Sequence, residues 1–474
     1  MPAAKLSLPM PDARPRTVSE LRASGHERET VKHEMRRNLL ARLRERRPLF
    51  PGIVGYDETV LPQVANGVIS GHDLILLGER GQAKSRLMRS MVELLDPEVP
   101  VMAGCEINDH PYAPICKRCR DALAEQGERA EIDWLPRERR YGEKLATPDT
   151  SIADLIGEVD PIKVAEGRYL ADELTIHYGL VPRTNRGIFG INELPDLAER
   201  IQVGLLNVME EKDVQIRGYR IRLPLDLFVI ASANPEDYTS RGRIITPLKD
   251  RFGSQVRTHY PLSVPEEIEI MESERAMAPS EVEVLVPGFM KEVVAEVTHH
   301  SRRSPHISQT SGVSVRMSIG NYENLVSNSI RRAVRLGEPA AVPRISDLPF
   351  LTASTAGRVE VEALDEGKEE QVLTRIQRSA VNAVFGRHFT SGQFEWLVQR
   401  FEEGTTLEVG ENVPASAYTS ALKDASELQT ALRRLSLPER PEVVASVLEF
   451  VLEGLHLNKR LNKDELDGKV LYRR

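Results

Sequence analysis

Between an apolar run, Leu74-Ile75-Leu76-Leu77, and a helical pattern of apolar residues, Leu87, Met88, Met91, Leu94 and Leu95, the chain reads Gly78-Glu79-Arg80-Gly81-Gln82-Ala83-Lys84-Ser85. A short buried strand, a glycine-bearing loop and a helix in that order restrict the possible folds more than any other stretch. A loop of this kind points several backbone N–H groups at one spot, with the positive end of a helix behind them, and so forms a cradle for phosphate. Lys84 adds a cation for the β- and γ-phosphates and Ser85 a hydroxyl for Mg²⁺, so ATP with Mg²⁺ is the expected ligand. Ala83 stands where the pattern GxxxxGK[ST] has its last glycine. A right-handed helical conformation there would accommodate the methyl group. An ordinary turn is the alternative reading of the motif by itself.

With 474 residues, 41% of them hydrophobic, the chain is long enough for two to four domains with real cores. Its formal charge of -8 argues against a surface given over to nucleic acid. No apolar stretch reaches the length of a membrane span, and Met1-Pro2-Ala3-Ala4-Lys5 lacks the apolar core of a signal peptide, so the cytoplasm is expected. Three cysteines are too few for a disulfide framework and fit a reducing compartment.

Composition shifts divide the chain into four parts. Residues 1–48 read as a flexible tail to about Ser24, followed by a basic amphipathic helix from Val31 to Arg47. That helix either packs on its own domain with a solvated cationic face or meets an acidic partner. Residues 49–262 alternate strand-like and helical runs, the pattern of a parallel sheet covered by helices. The clearest buried strands are 74–77, 187–191 and 227–231. Within this part fall a cysteine-containing insertion at about 104–140 and a hairpin, 214–217 and 220–223, turning at Gly218. Residues 263–342 are helical, with helices expected at 265–276, 290–300 and 315–335. Residues 343–474 form a mostly helical extension whose first stretch, to Gly367, reads as extended and loop-like.

Hydrolysis needs an acid that organises metal and water and cations for the charge on the γ-phosphate. Gly187-Ile188-Phe189-Gly190-Ile191-Asn192-Glu193 is an apolar strand ending in a polar pair at the carboxyl edge of the sheet. Glu193 is the candidate for orienting the attacking water. Asn192 stands where an aspartate is usual; its amide can accept from metal-bound water but brings no charge, which predicts weaker Mg²⁺ binding or slower turnover. A strand followed by a capping asparagine and a surface glutamate is the alternative. Asn234, ending the run Leu227–Ala233, is placed to contact the γ-phosphate or the water. Arg251 in Pro247-Leu248-Lys249-Asp250-Arg251-Phe252 is a candidate cation for the γ-phosphate of a neighbouring subunit, or else a salt-bridge partner of Asp250 or a similar acid.

Together these segments resemble the AAA+ ATPase module of the magnesium-chelatase ATPase subunit and the related MoxR ATPases. Pro51-Gly52-Ile53-Val54-Gly55 is similar to the entry motif of such modules, and Thr147 to Gly157 with Asp160 to the segment between the two Walker motifs. Ser311-Gly312-Val313-Ser314-Val315-Arg316 resembles the sensor 2 motif, which makes Arg316 a second phosphate-contacting cation. The resemblance covers roughly residues 50–335. Ala83 is common in the MoxR branch, and Asn192 replaces an acid expected in both branches. The implied fold is an AAA+ α/β sheet flanked by helices with an inserted β-hairpin, then an α-helical lid and a helical C-terminal region. The implied function is an ATP-hydrolysing remodelling motor or chaperone acting as a ring, a hexamer, with a separate von Willebrand A-domain protein on the route to its client. A chelatase ATPase subunit and a nucleotide-gated scaffold with little turnover are the alternatives.

Cys105, Cys116 and Cys119 lie at spacing C-x₁₀-C-x₂-C with His110 between the first two. Thiolate and imidazole ligands suit tetrahedral Zn²⁺, which would staple the insertion; free thiols on a surface loop fit the same spacing.

Overall fold

The computed structural model describes residues 14–160, 162, 173–210, 214–216, 219–221, 223–234, 243–308, 312–361, 368–421, 426–466 and 469–473. The chain divides into two compact units, Met1–Gly78 with Ala83–Thr258 and Glu79–Gln82 with His259–Arg474.

The first unit is built on five strands, β1 (Leu74–Leu77), β2 (Tyr141–Leu145), β3 (Gly187–Asn192), β4 (Leu227–Ala233) and β5 (Ser254–Arg257). They lie in the order β5-β1-β4-β3-β2, with every neighbouring pair parallel. Alternation along each strand feeds two cores. Leu74, Leu76, Ile188, Phe228, Ile230 and Val256 face one side, against Met35, Leu39, Val60, Val64 and Leu87. Ile75, Phe189, Ile191, Val229 and Ala231 face the other, against Leu155, Ile201 and Leu205. A parallel sheet buried on both faces has near-continuous apolar strands, which is why these runs stand out in the sequence.

The basic helix runs from Val31 to Arg44, shorter than the expected Arg47, and is capped by the Thr30 side chain. Among its cations, Arg37 is paired within the unit with Glu29 and Asp96, and Arg42 with Glu93. Residues 14–24, expected to be flexible, instead hold a helix, Val18–Ala23, whose Val18 and Leu21 are buried. The stretch is tied down by the Trp134 Nε1–H donating to Pro15 O at 3.0 Å and by the Ile132 N–H donating to Arg16 O at 2.9 Å. An inserted hairpin pairs Val214–Ile216 antiparallel with Tyr219–Ile221, while the expected turn at Gly218 lies outside the described residues.

Helices dominate the second unit, among them Val264–Glu274, Gly288–Arg303, Val315–Leu336, Lys368–His388 and Pro441–Leu457. Lid and extension share one core, in which Met271, Phe289, Leu325, Phe385, Phe401 and Phe450 are all buried. Phe289 and Phe450 stack with ring centroids 4.4 Å apart. The stretch expected to be extended from 343 is helical over much of its length, with turns at Ile345–Leu351, Thr352–Thr355 and Ala356–Arg358. The cause is tertiary. Asp347 is fully buried, accepts from Arg344 N at 2.7 Å and pairs with Arg332 at 2.9 Å, which closes the first turn despite Pro349 within it. The extension also holds a three-stranded antiparallel sheet of Leu407–Val409, Lys469–Arg473 and Asn462–Leu466. Among the described residues no helix is long and apolar enough to cross a membrane.

Candidate functional site

In the sheet, β4 lies between β1 and β3, so the residue that ends β4 stands between the residues that follow β1 and β3. That residue is Asn234. Its Oδ1 accepts a hydrogen bond from Lys84 Nζ at 2.7 Å, and its Nδ2 donates to Glu193 Oε2 at 2.9 Å. Lys84, only 6% exposed, also donates to the Gly78 carbonyl. Three side chains from distant parts of the chain thus converge at one carboxyl edge, where a parallel α/β sheet places its ligands.

Ser85 Oγ donates to Asn192 Oδ1 at 2.9 Å, and Ser232 Oγ donates to the same oxygen at 3.1 Å. The Asn192 amide in turn donates to Glu143 Oε1. Glu143 lies on β2, the strand beside β3, in register with Gly190. Burial acts to raise its carboxyl pKa, but the hydrogen bonds and charge of Arg89, at 2.7 and 2.8 Å, prevail with help from Tyr141 and Asn192 and hold it below the usual range. Sequence reasoning missed Glu143. The strand reads Tyr141-Gly142-Glu143-Lys144-Leu145, neither an apolar run nor a clean alternation, and only the pairing with β3 brings its acid to the site. Hydroxyl, amide and carboxylate oxygens are the hard donors that suit Mg²⁺, so the group at Ser85, Asn192 and Glu143 fits that ion.

Two residues here hold backbone conformations unusual for a side-chain-bearing residue. Ala83 caps the helix Lys84–Ser90 with φ 52° and ψ 15°, left-handed rather than the right-handed conformation expected for it. It occupies the glycine position in a glycine-like conformation, at a cost of about 1 kcal/mol. Glu193, with φ 55° and ψ 50°, turns sharply out of β3, and its N–H donates to Ser232 Oγ at 3.1 Å. Strain of this kind collects at functional sites.

Within the second unit, the Glu79 N–H donates to Gln82 Oε1 at 3.1 Å, and Tyr260 Oη donates to the Arg80 carbonyl at 2.9 Å. Gly81 has φ 76°, and a Cβ there would fall 1.9 Å from Ser314 Oγ, so a side chain at Gly81 is doubly excluded. Ser314 caps the helix Val315–Leu336, and Arg316 is exposed in that helix's first turn. Ser311 lies outside the described residues.

Arg251 ends the short helix Thr246–Arg251 and pairs with Glu210 rather than Asp250; the two side chains are 44% and 38% exposed. The four expected zinc ligands separate. Cys105, Cys116 and Cys119 come together with Asp109, whereas His110 is not in the group. The His110 ring is held elsewhere: its Nδ1 accepts from Tyr112 N at 3.0 Å, and it stacks on His26 at 5.9 Å between centroids.

A five-stranded parallel sheet in this order, a glycine-bearing loop after β1, a polar pair after β3 and an asparagine after β4 make up an α/β fold of the AAA+ type. No family model matches the chain. It is 26% identical over 228 residues to a magnesium-chelatase subunit ChlI homolog of Methanocaldococcus jannaschii, covering 47% of this chain and 58% of the relative. It is 30% identical over 226 residues to the magnesium-chelatase subunit ChlI of Nephroselmis olivacea, covering 44% and 56%. Over a little under half of its length the chain is thus similar to magnesium-chelatase ATPase subunits. It spans a little over half the length of these two relatives. A solved chain from a complex between subunits BchI and BchD of magnesium chelatase is 20% identical, with TM-score 0.35, and the match covers 69% of this chain and 99% of that one.

Proposed function

We propose that this chain binds ATP with Mg²⁺, hydrolyses it, and works as a remodelling motor in a ring of identical subunits, a hexamer, in the cytoplasm. The observation that carries the reading is the bridge made by Asn234 between Lys84 and Glu193. A cation for the phosphates, a carboxylate for the water and an amide that positions both are the parts that hydrolysis requires. Backbone groups from Gly78 to Ala83 cradle the phosphates, and Lys84 turns its ammonium to the β- and γ-phosphates. Glu193 orients the attacking water. Ser85 and Asn192 hold Mg²⁺, and Glu143 restores next to Asn192 the negative charge that an aspartate would have carried. The bound ion neutralises charge on the phosphate oxygens. Arg251 serves the nucleotide of the neighbouring copy, leaving Glu210 to do so, and Arg316 adds a second cation. The hairpin moves against a protein client, reached through a separate von Willebrand A-domain protein. A Lys84→Ala variant should lose nucleotide binding, and Glu193→Gln should bind ATP with turnover reduced at least ~100-fold. Equal phosphate release by wild type and both variants overturns the reading.

A second reading, insertion of Mg²⁺ into a porphyrin as the ATPase subunit of a chelatase, is favoured by the names of the relatives. Mixing the protein with the remaining chelatase subunits, Mg²⁺, ATP and protoporphyrin separates the two. Magnesium porphyrin forms only under the second.

A further inference from the structure

The loop that joins the strand Glu98–Met102 to the helix Lys117–Gln126, with that helix's first turn, gathers Cys105, Asp109, Cys116 and Cys119, and one ligand atom from each lies within 4.8 Å of all the others. Cysteines alone could be explained as small apolar fillers, since Cys116 and Cys119 are 5% and 2% exposed and pack beside Ile107 and Ile132. Asp109 does not fit that explanation. It is fully buried; its Oδ2 accepts from Ile115 N at 3.1 Å and Cys116 N at 3.0 Å, but its Oδ1 is buried with no hydrogen-bond partner among the described residues. A carboxylate oxygen withdrawn from water without a donor is strongly unfavourable, and a cation meeting it removes that cost.

The sulfurs are prepared for negative charge. The Asp109 N–H donates to Cys105 Sγ at 3.3 Å and the Cys119 N–H to Cys116 Sγ at 3.4 Å. Cys116 is the N-cap of the ten-residue helix Lys117–Gln126 and Cys119 lies in its first turn, so both sit at the positive end of that helix.

We propose that Cys105, Cys116, Cys119 and the Oδ1 of Asp109 bind one Zn²⁺ as a closed structural site. Three thiolates and one carboxylate fill a tetrahedral shell and leave no open position for substrate, so the ion braces the insertion rather than acting on ATP. Asp109 takes the place that the sequence spacing assigns to His110. The proposal does not depend on the ATPase reading.

The full chain, purified from zinc-supplied cells, should carry about one zinc per chain by elemental mass spectrometry. Lys84→Ala should carry the same. Cobalt(II) in place of zinc should give the visible absorption of a tetrahedral thiolate site. Asp109→Asn should shift those bands and weaken zinc about 10-fold or more in competition with a chromophoric chelator, while His110→Asn leaves both unchanged. Cys119→Ser should lose the stoichiometric metal. A metal-free wild type whose three thiols react freely in the native state, or that contains a disulfide, overturns the site. A cobalt spectrum altered by His110→Asn and untouched by Asp109→Asn overturns the ligand set.

Discussion

Lys84 donates its buried ammonium to Asn234 Oδ1 at 2.7 Å, across a separation of 150 residues in sequence. The contact follows from strand order, because β1 and β4 are neighbours in parallel register from Leu74↔Ile230 to Leu77↔Ala233. Asn234→Ala removes one acceptor of a buried charge and should destabilise the first unit by about 1–3 kcal/mol. Turnover should fall about 100-fold through the loss of Glu193 positioning. Thermal melting and phosphate release measure the two effects, and an unchanged turnover number contradicts the positioning role.

Ala83 offers a test with the opposite sign. Ala83→Gly relieves a left-handed residue of its methyl group and should stabilise the protein by up to about 1 kcal/mol, offset in part by the greater freedom of glycine in the unfolded chain. Urea titration reads the change; destabilisation contradicts the assigned strain. Nucleotide affinity should be kept.

Glu143 and Asn192 make a pair whose charge matters more than its order. Glu143→Gln should raise the Mg²⁺ concentration for half-maximal binding of a fluorescent ATP analogue about 10-fold, with little change in melting temperature. Asn192→Asp alone places two carboxylates in contact and should not improve binding. The double variant carries a single acid again and should recover. Failure of the double variant to exceed Glu143→Gln refutes the substitution of one acid for the other.

Arg251 can be tested by complementation. Lys84→Ala and Arg251→Ala are each expected to be inactive, yet in the proposed ring a mixture of the two would contain some sites with an intact lysine and an intact arginine from adjacent subunits. Partial recovery of ATPase activity on mixing supports a role between subunits. A mixture as inactive as its components argues for a structural ion pair with Glu210.

In the second unit, Glu267 is fully buried, with Arg302 at 2.8 Å, His299 at 3.5 Å and a hydrogen bond from Ser318. Burial acts to raise its pKa, but these partners prevail and lower it. A carboxyl depressed in the folded state contributes stability above its unfolded pKa, about 4.3, and loses it as pH falls through the lower folded value. Denaturant unfolding between about pH 6 and about pH 3 should therefore show a loss on the acid side that Glu267→Gln flattens. Parallel curves for the two proteins refute it.

The buried strands at 74–77, 187–192 and 227–233 are legible in the sequence because burial on both faces leaves continuous apolar runs. Lys84, Ser85, Glu193 and Asn234 are legible for the same reason, as each follows one of those runs or its loop. Glu143 is hidden because its importance comes from lateral pairing. The handedness of Ala83 is hidden because a methyl group does not announce its φ. Asp109 is hidden because cysteine and histidine spacing draws attention to His110, while Asp109 qualifies through its place beside the three sulfurs together with the burial of one oxygen. The turns after Ile345 are obscured by Pro343 and Pro349, whose effect on the chain is overruled by the buried Arg332–Asp347 pair.

The stacked rings of Phe289 and Phe450 carry a practical warning. A fragment trimmed after residue 342, as a designer seeking the smallest working ATPase would choose, strips Phe450 from Phe289 and leaves the inner faces of the earlier helices wet. Such a fragment should clump in the tube, and its silence would say nothing about the full chain. Dissection has to proceed by point substitution, with the last helices left on.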